Sequence, residues 1–278
     1  MQQRRLGPGP ASVARIGLGT WRVQDRTRTT AALLAGIEAG LTHIDTAELY
    51  EEQSRSEGML GRLFAATPGL RDRLFVASKV LPHNASYAGT IAACEATLKR
   101  LGTDRLDLDY LHWRGEHPLE DTFDAMAQLA EEGKVRHIGV SNFDVADLEE
   151  AEGILGKGVL AANQVLYHLE DRGAESEVIP WCKKHDVTVV AYSPFGAGAF
   201  VSDKRRRRAL DEVAAKAGLD ARQAALAFLT RDPSVVAIPK TENPEHAKAL
   251  AGGATDLPKD AIAAIEAAFP VKQGLRTI

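Results

Sequence analysis

Gly17-Leu18-Gly19-Thr20-Trp21-Arg22-Val23-Gln24 is the stretch that decides the fold. It belongs to a short β-rich run at 15–21 and opens with Gly-x-Gly. An open, doubly wound sheet that binds a dinucleotide would continue to a third glycine three residues on, to turn tightly into a helix. Arg22 stands there instead, so that turn is absent. For a chain that alternates strands and helices, a closed barrel of parallel strands is therefore preferred over the open sheet.

The rest of the chain has that alternation. Runs rich in Val, Ile and Leu stand at 15–21, 41–46, 74–80, 106–112, 135–141, 160–167, 188–193 and 235–239. They are short and continuously apolar, as strands of a parallel sheet buried on both faces should be. Amphipathic, Ala-rich segments predict helices over 30–39, 88–101, 119–132, 145–155, 174–184, 222–230 and 245–250. Gly40, Gly102 and Gly133 punctuate helix ends. Polar residues at strand ends recur with a pitch: 34 positions from Asp45 to Lys79, 33 from Lys79 to His112 and 29 from His112 to Ser141. That is the size of one strand–loop–helix–loop unit. The reading is a single domain over residues 1–278, a (β/α)8 TIM barrel with an N-terminal β-hairpin. Extra helices are expected near the C-terminal end, at 209–217 and 259–268.

The bulk numbers agree with a barrel. The chain has 278 residues, and α/β barrels commonly need about 250. Apolar residues at 45% and charged residues at 26% suit an ordinary globular core. A net charge of −4 offers no field to recruit nucleic acid or an anionic membrane. Cys94 and Cys182 lie far apart with no metal-like spacing and read as reduced thiols. Met1-Gln-Gln-Arg-Arg5 has no apolar run behind it, and no stretch reaches the ~20 apolar residues of a membrane helix. A cytoplasmic protein is expected, and a monomer, since no apolar stripe is left over after the barrel helices.

Barrel strands deliver their C-terminal residues to one face. Asp45, Lys79 and His112 end consecutive strands, and Tyr50 lies one short loop beyond Asp45. Carbonyl reduction needs such a set: negative charge builds on the carbonyl oxygen as hydride arrives at carbon, and a proton donor must meet it. A free tyrosine, with a pKa of about 10, is a reluctant acid at neutral pH. An ammonium within about 4–6 Å favours the phenolate and lowers that pKa. Lys79 would supply it, Asp45 would keep Lys79 protonated, and neutral His112 would orient the substrate oxygen by a hydrogen bond.

The sequence resembles the aldo-keto reductase superfamily. The resemblance is carried by Gly17-Leu-Gly-Thr-Trp21, His43-Ile-Asp-Thr-Ala-Glu-Leu-Tyr50, Ser56-Glu57, Ser78-Lys79, Leu98-Lys-Arg-Leu101 and Leu106-Asp-Leu-Asp-Tyr-Leu-His-Trp113. It continues through Gly133-Lys-Val-Arg-His-Ile-Gly-Val-Ser-Asn-Phe143, Asn163-Gln164, Ala191-Tyr-Ser-Pro194 and Ile238-Pro-Lys-Thr241. The run Asn163–Leu169 with Pro180-Trp-Cys182 is similar to short bacterial members that reduce methylglyoxal-like compounds. The resemblance implies a catalytic tetrad of Asp45, Tyr50, Lys79 and His112, and NADPH as cofactor. It implies that Ser141, Asn142 and Gln164 hold the nicotinamide amide and that Tyr192 stacks on its ring. Ser193 and the 196–200 loop would meet the pyrophosphate, and Thr20 and Asp45 would also border the cofactor. Lys240 and Thr241 would meet the 2′-phosphate, lysine being a sound point charge for it. His246 stands where many members carry an arginine, and Ala249 and Leu250 where many carry amides near the adenine, so NADH use stays open. A short tail after Phe269 implies an open pocket, with Trp21 and Trp113 as apolar walls.

Each piece has a plainer reading alone. Asp45 and Lys79 could be a structural ion pair, Tyr192 a buried aromatic, Ser141-Asn142 a helix cap and Lys204–Arg208 a solvated charge run. Rival functions are a metal-dependent barrel hydrolase using His43, Asp45, Lys79 and His112, a Schiff-base aldolase using Lys79, and a non-catalytic nicotinamide-sensing protein. The hydrolase lacks a His-x-His pair and leaves the tyrosines idle, so no metal is expected.

Overall fold

Strand pairing in the main sheet of the computed structural model, which describes residues 1–196 and 200–271, is parallel and follows the order of the chain. A two-stranded antiparallel hairpin comes first, β1 (Gln3–Arg5) with β2 (Ser12–Ala14). Eight strands follow: β3 (Leu18–Gly19), β4 (His43–Asp45), β5 (Phe75–Val80), β6 (Leu108–Leu111), β7 (Ile138–Ser141), β8 (Leu160–Leu166), β9 (Thr188–Tyr192) and β10 (Val235–Ala237). Each pairs with its sequence neighbour. The sheet closes because Ile16 bridges Ala237, the Gly17 amide donates to the Ala237 carbonyl at 2.8 Å, and the Gly19 amide donates to the Pro239 carbonyl at 2.9 Å. The fold is the expected (β/α)8 barrel, and all eight strands fall inside the runs read from the sequence.

Alternation along these strands separates two cores. Ala77, Leu108, Tyr110, Ala162, Val190 and Val236 fill the barrel interior. Ile44, Val76, Leu111, Val140, Val165 and Val189 face the surrounding helices. Leu6 and Val13 of the hairpin region join the inner cluster and plug the N-terminal end. By the same parity, Asp45, Lys79 and Gln164 lie on the inner face near the other end.

The helices are α1 (Arg26–Glu38), α2 (Glu48–Ser54), α3 (Ser56–Ala66), α4 (Tyr87–Leu101), α5 (Leu119–Glu131), α6 (Val145–Leu155), α7 (Val178–Lys184), α8 (Lys204–Lys216), α9 (Ala221–Leu229), α10 (Pro244–Leu250) and α11 (Lys259–Ala268). Gly102 ends α4 in the left-handed region at φ 63°, as a C-cap glycine should. Three expectations need correction. Tyr50 is not in a loop: α2 and α3 occupy the stretch after Asp45, and Tyr50 sits in the first turn of α2. The helix expected over 174–184 is broken into a 3-10 turn, Gly173–Glu175, and α7. Pro180 is the cause, because a proline is tolerated only in a helix's first turn. The helix expected from 209 starts at Lys204, where the Asp203 carboxylate caps it by accepting from the Arg206 amide.

Among the described residues, no helix is long and apolar enough to cross a membrane. Cys94 and Cys182 are buried free thiols.

Candidate active site

Three neighbouring strand ends supply the centre. Asp45 is the last residue of β4, Lys79 the fifth of the six in β5, and His112 follows β6 directly. Lys79 is 1% exposed and Asp45 2%. The Lys79 ammonium donates to Asp45 Oδ1 at 2.6 Å and to the Thr46 carbonyl at 2.8 Å. Its Nζ lies 4.9 Å from the centre of the Tyr50 ring. The Tyr50 ring meets His112 edge-on at 5.9 Å, and His112 in turn packs against Trp113 at 4.7 Å. The four side chains expected to gather do gather.

The electrostatics differ from the sequence expectation at Tyr50. Burial raises its pKa, and this outweighs the opposing pull of the Lys79 charge and of a side-chain hydrogen bond between the two. The phenol is held more firmly protonated than free tyrosine, not acidified. Burial opposes the charge on Lys79, but Asp45 and Tyr50 together hold its pKa above the ordinary value, so the ammonium persists. Burial, aided by the Lys79 charge, pushes His112 down to about 2. Its imidazole is neutral, and Nδ1 is buried without a hydrogen-bond partner among the described residues.

A second tier orients the first. Gln164 on β8 donates to Asp45 Oδ2 at 2.7 Å, so both carboxylate oxygens are held. Ser141 ends β7, and its hydroxyl donates to the Gln164 carbonyl at 2.8 Å. Asn142 takes the left-handed region, φ 61°, and donates to the His112 carbonyl at 3.0 Å. The Tyr192 hydroxyl donates to Asn142 Oδ1 at 3.0 Å. Asp144, not Asn142, caps α6. Thr20 donates from its hydroxyl to the Asp45 carbonyl at 3.0 Å, which brings the loop bearing Trp21 to the same mouth.

The remaining candidates lie on the loop after β10 and beyond. Lys240 donates to the Arg22 carbonyl at 3.0 Å and to Glu242 Oε1 at 2.6 Å. The Thr241 hydroxyl accepts from the Asn243 amide at 3.1 Å, and His246 is exposed on α10. Ser193 is left-handed at φ 48°, in a turn closed by the Gly196 amide on its carbonyl at 2.8 Å. Residues 197–199 of the expected pyrophosphate loop lie outside the described residues. In the basic run, Arg206, Arg207 and Arg208 pair with Glu170, Asp211 and Glu212.

Sequence reasoning missed several residues here. Tyr110 on β6 lies beneath the centre, its ring 5.9 Å from Lys79 Nζ. Glu48 in α2 accepts from the Leu81 amide at 2.9 Å and from the Asn84 side chain at 2.7 Å, tying the Tyr50 helix to the loop after the Lys79 strand. Glu242 was missed although it stands two residues from Lys240. Inward parity on β6 would have pointed to Tyr110; no local signal marks the other two.

The rivals fare differently. No group of three or more His, Cys, Asp or Glu side chains suited to a metal ion occurs among the described residues. His43 is fully buried, its ring set edge-on against Phe75 at 5.3 Å. A lysine locked as an ammonium is a poor Schiff-base nucleophile.

A protonated phenol, a buried ammonium and a neutral imidazole at the C-terminal mouth of an eight-stranded barrel define an oxidoreductase built for carbonyl–alcohol chemistry. Residues 15–269 match the model of the Aldo/keto reductase family, and the chain belongs to that family. It is 40% identical to the methylglyoxal reductase YeaE of Escherichia coli, over 99% of this chain and 98% of that one. The glyoxal reductase of Bacillus subtilis is 34% identical over 81% of this chain and 78% of its own. Among solved structures, an aldo-keto reductase from Klebsiella pneumoniae in complex with NADPH superposes with a TM-score of 0.90 at 39% identity, covering both chains fully.

Proposed function

We propose that this chain reduces small aldehydes and ketones, 2-oxoaldehydes such as methylglyoxal among them, with NADPH as cofactor and Tyr50 as proton donor. The observation that carries the reading is the Lys79 ammonium, 2.6 Å from Asp45 and 4.9 Å from the Tyr50 ring centre. Relatives named for methylglyoxal and glyoxal reduction, and a solved relative in complex with NADPH, support the substrate class and the cofactor.

The side chains present fit the cofactor by their chemistry. Asn142 and Gln164 are amides suited to the nicotinamide carboxamide, Tyr192 is a half-buried ring for stacking, and Ser141, Ser193 and Thr20 border them. Lys240 and Thr241 suit the 2′-phosphate, with His246 as a weaker neighbour. When bound, NADPH supplies the hydride that reaches the carbonyl carbon. The protein's own groups manage the charge that then builds on oxygen. Tyr50 gives its proton to that oxygen, and Lys79 stabilises the phenolate left behind. Asp45 keeps Lys79 charged and aimed, and Gln164 aims Asp45. Neutral His112 donates a hydrogen bond that orients the carbonyl without competing as an acid. Trp21 and Trp113 form apolar walls.

The test mixes the protein with NADPH and a panel of small carbonyls, methylglyoxal included, and follows loss of the reduced-nicotinamide absorbance. Turnover by the wild type that disappears in Tyr50→Phe, with NADPH binding intact, is the expected result. Tight NADPH binding without turnover of any carbonyl would favour a sensing protein instead. Unchanged turnover in Tyr50→Phe would remove Tyr50 from the mechanism.

A further inference from the structure

The donors around Lys240 are already committed to an anion of the chain's own. The Glu242 carboxylate takes the Lys240 ammonium at 2.6 Å and the Gln24 amide at 2.8 Å on Oε1, and the Asp25 amide at 3.2 Å on Oε2. Lys240 also donates to the Arg22 carbonyl, so among the described residues two of its three N–H donors are committed. Glu242 is mostly shielded, its side chain 16% exposed. Burial opposes its ionisation, but the Gln24 and Asp25 amides and Lys240 hold its carboxyl below the ordinary range. Beside it, Asp25 caps α1 and takes the Thr27 and Arg28 amides at 2.9 and 3.0 Å. The nearby Arg22 guanidinium lies over the Trp21 ring, 4.1 Å from its centre.

We propose that Glu242 is a specificity-determining residue, a resident carboxylate that occupies the donors a 2′-phosphate would use and so moderates the preference for NADPH over NADH. This rests on the reading of Lys240 as the 2′-phosphate contact. A phosphate arriving there must compete with Glu242 for the ammonium and endure its negative charge. A 2′-hydroxyl has neither problem, because it can donate a hydrogen bond to the same carboxylate. The site therefore pairs an attractive group with a repulsive one, and selectivity is their difference.

The test measures equilibrium binding of NADPH, NADH and 2′-AMP by calorimetry to wild type, Glu242→Gln, Lys240→Ala and the double variant. Glu242→Gln removes the charge and keeps one acceptor oxygen, enough for the Gln24 backbone amide but not also for that of Asp25, which bonds to the other oxygen. Glu242→Asp keeps the charge and both acceptor oxygens and guards against a purely structural effect. Glu242→Gln is expected to tighten NADPH and 2′-AMP about tenfold, as removal of one unit charge a few ångströms away in a partly solvated site should. NADH should not tighten, Glu242→Asp should leave the NADPH-to-NADH ratio near that of the wild type, and the gain should vanish in the double variant. If Glu242→Gln shifts both dinucleotides alike, shifts neither, or weakens NADPH while Lys240→Ala still weakens NADPH selectively, Glu242 is only a clasp between two loops and the proposal is overturned. If Lys240→Ala weakens both dinucleotides equally, the assignment of Lys240 fails first and takes the proposal with it.

Discussion

Two buried cations sit at opposite ends of the barrel, and their partners differ in kind. Arg15, 0% exposed, enters the barrel just before β3. It donates to the Thr230 hydroxyl, the Gln2 side chain, Asp256 and the carbonyls of Ala227 and Thr255. The partners are neutral apart from Asp256, whose side chain is 76% exposed. Burial lowers the Arg15 pKa, and Asp256 only partly compensates. Lys79 has instead a buried carboxylate, one carbonyl and a phenol that can lose its own proton. Burial of charge is common to both and says nothing about function. Arg15 welds the N-terminal segment to the α9–β10 connection and to residues 255–256. Lys79 couples its charge to the protonation of another group.

The contrast can be broken experimentally. The largest effect belongs to Tyr50→Phe, which should lose about 10²–10⁴ in kcat for carbonyl reduction, the range of a positioned general acid. Its affinity for NADPH, measured by fluorescence quenching, should hold. Next come the cations. Lys79→Met should lose both turnover and about 3–5 kcal/mol of stability in urea unfolding, because Asp45 is left buried and uncompensated. Arg15→Met should lose about 1–3 kcal/mol, since it orphans buried neutral acceptors while Asp256 turns to water. Turnover per folded Arg15→Met molecule should equal that of the wild type; a catalytic defect there would erase the distinction between the two ends.

A smaller effect concerns pH. His43 and His112 have pKa values lowered to about 4 and about 2, by burial first in each case. Below the ordinary value of about 6.5 the unfolded chain takes up protons that these rings refuse, so stability is full above it and falls with falling pH. Each ring contributes about 1.4 kcal/mol per pH unit in that window, until its folded pKa is reached. Urea midpoints from pH 7 to 5 should fall less steeply in His112→Asn than in wild type; parallel curves would show that His112 titrates normally. The smallest expectation is a null one. Arg208→Ala should leave the NADPH dissociation constant unchanged, because Arg208 pairs with Glu212 on an exposed helix face. A weakened complex would restore a cofactor role to the basic run.

The barrel was legible because its strands are apolar on both faces and their polar ends recur at a fixed pitch. Asp45, Lys79 and His112 could be aligned by strand parity alone. The missed helices α2 and α3 have different explanations. In α3 the signal was present, since Met59, Leu60, Leu63 and Phe64 repeat at helical spacing and are buried. In α2 the sequence is polar, and Glu48 docks on Leu81 and Asn84, more than 30 positions away. The Tyr50 environment escaped for a related reason. Sequence places Lys79 near the phenol, but only packing reveals that desolvation outweighs the ammonium. Glu242 likewise meets Gln24 and Asp25 across more than 200 positions, beyond any local pattern.

The dependence of kcat/KM for methylglyoxal reduction on pH tests the account of the acid most directly. A buried phenol that stays protonated predicts a profile with no loss from neutrality to the ordinary tyrosine pKa of about 10, and a decline only above it. An apparent pKa between about 6.5 and 8.5 on the alkaline limb, abolished in Tyr50→Phe, would show that Lys79 acidifies the phenol after all.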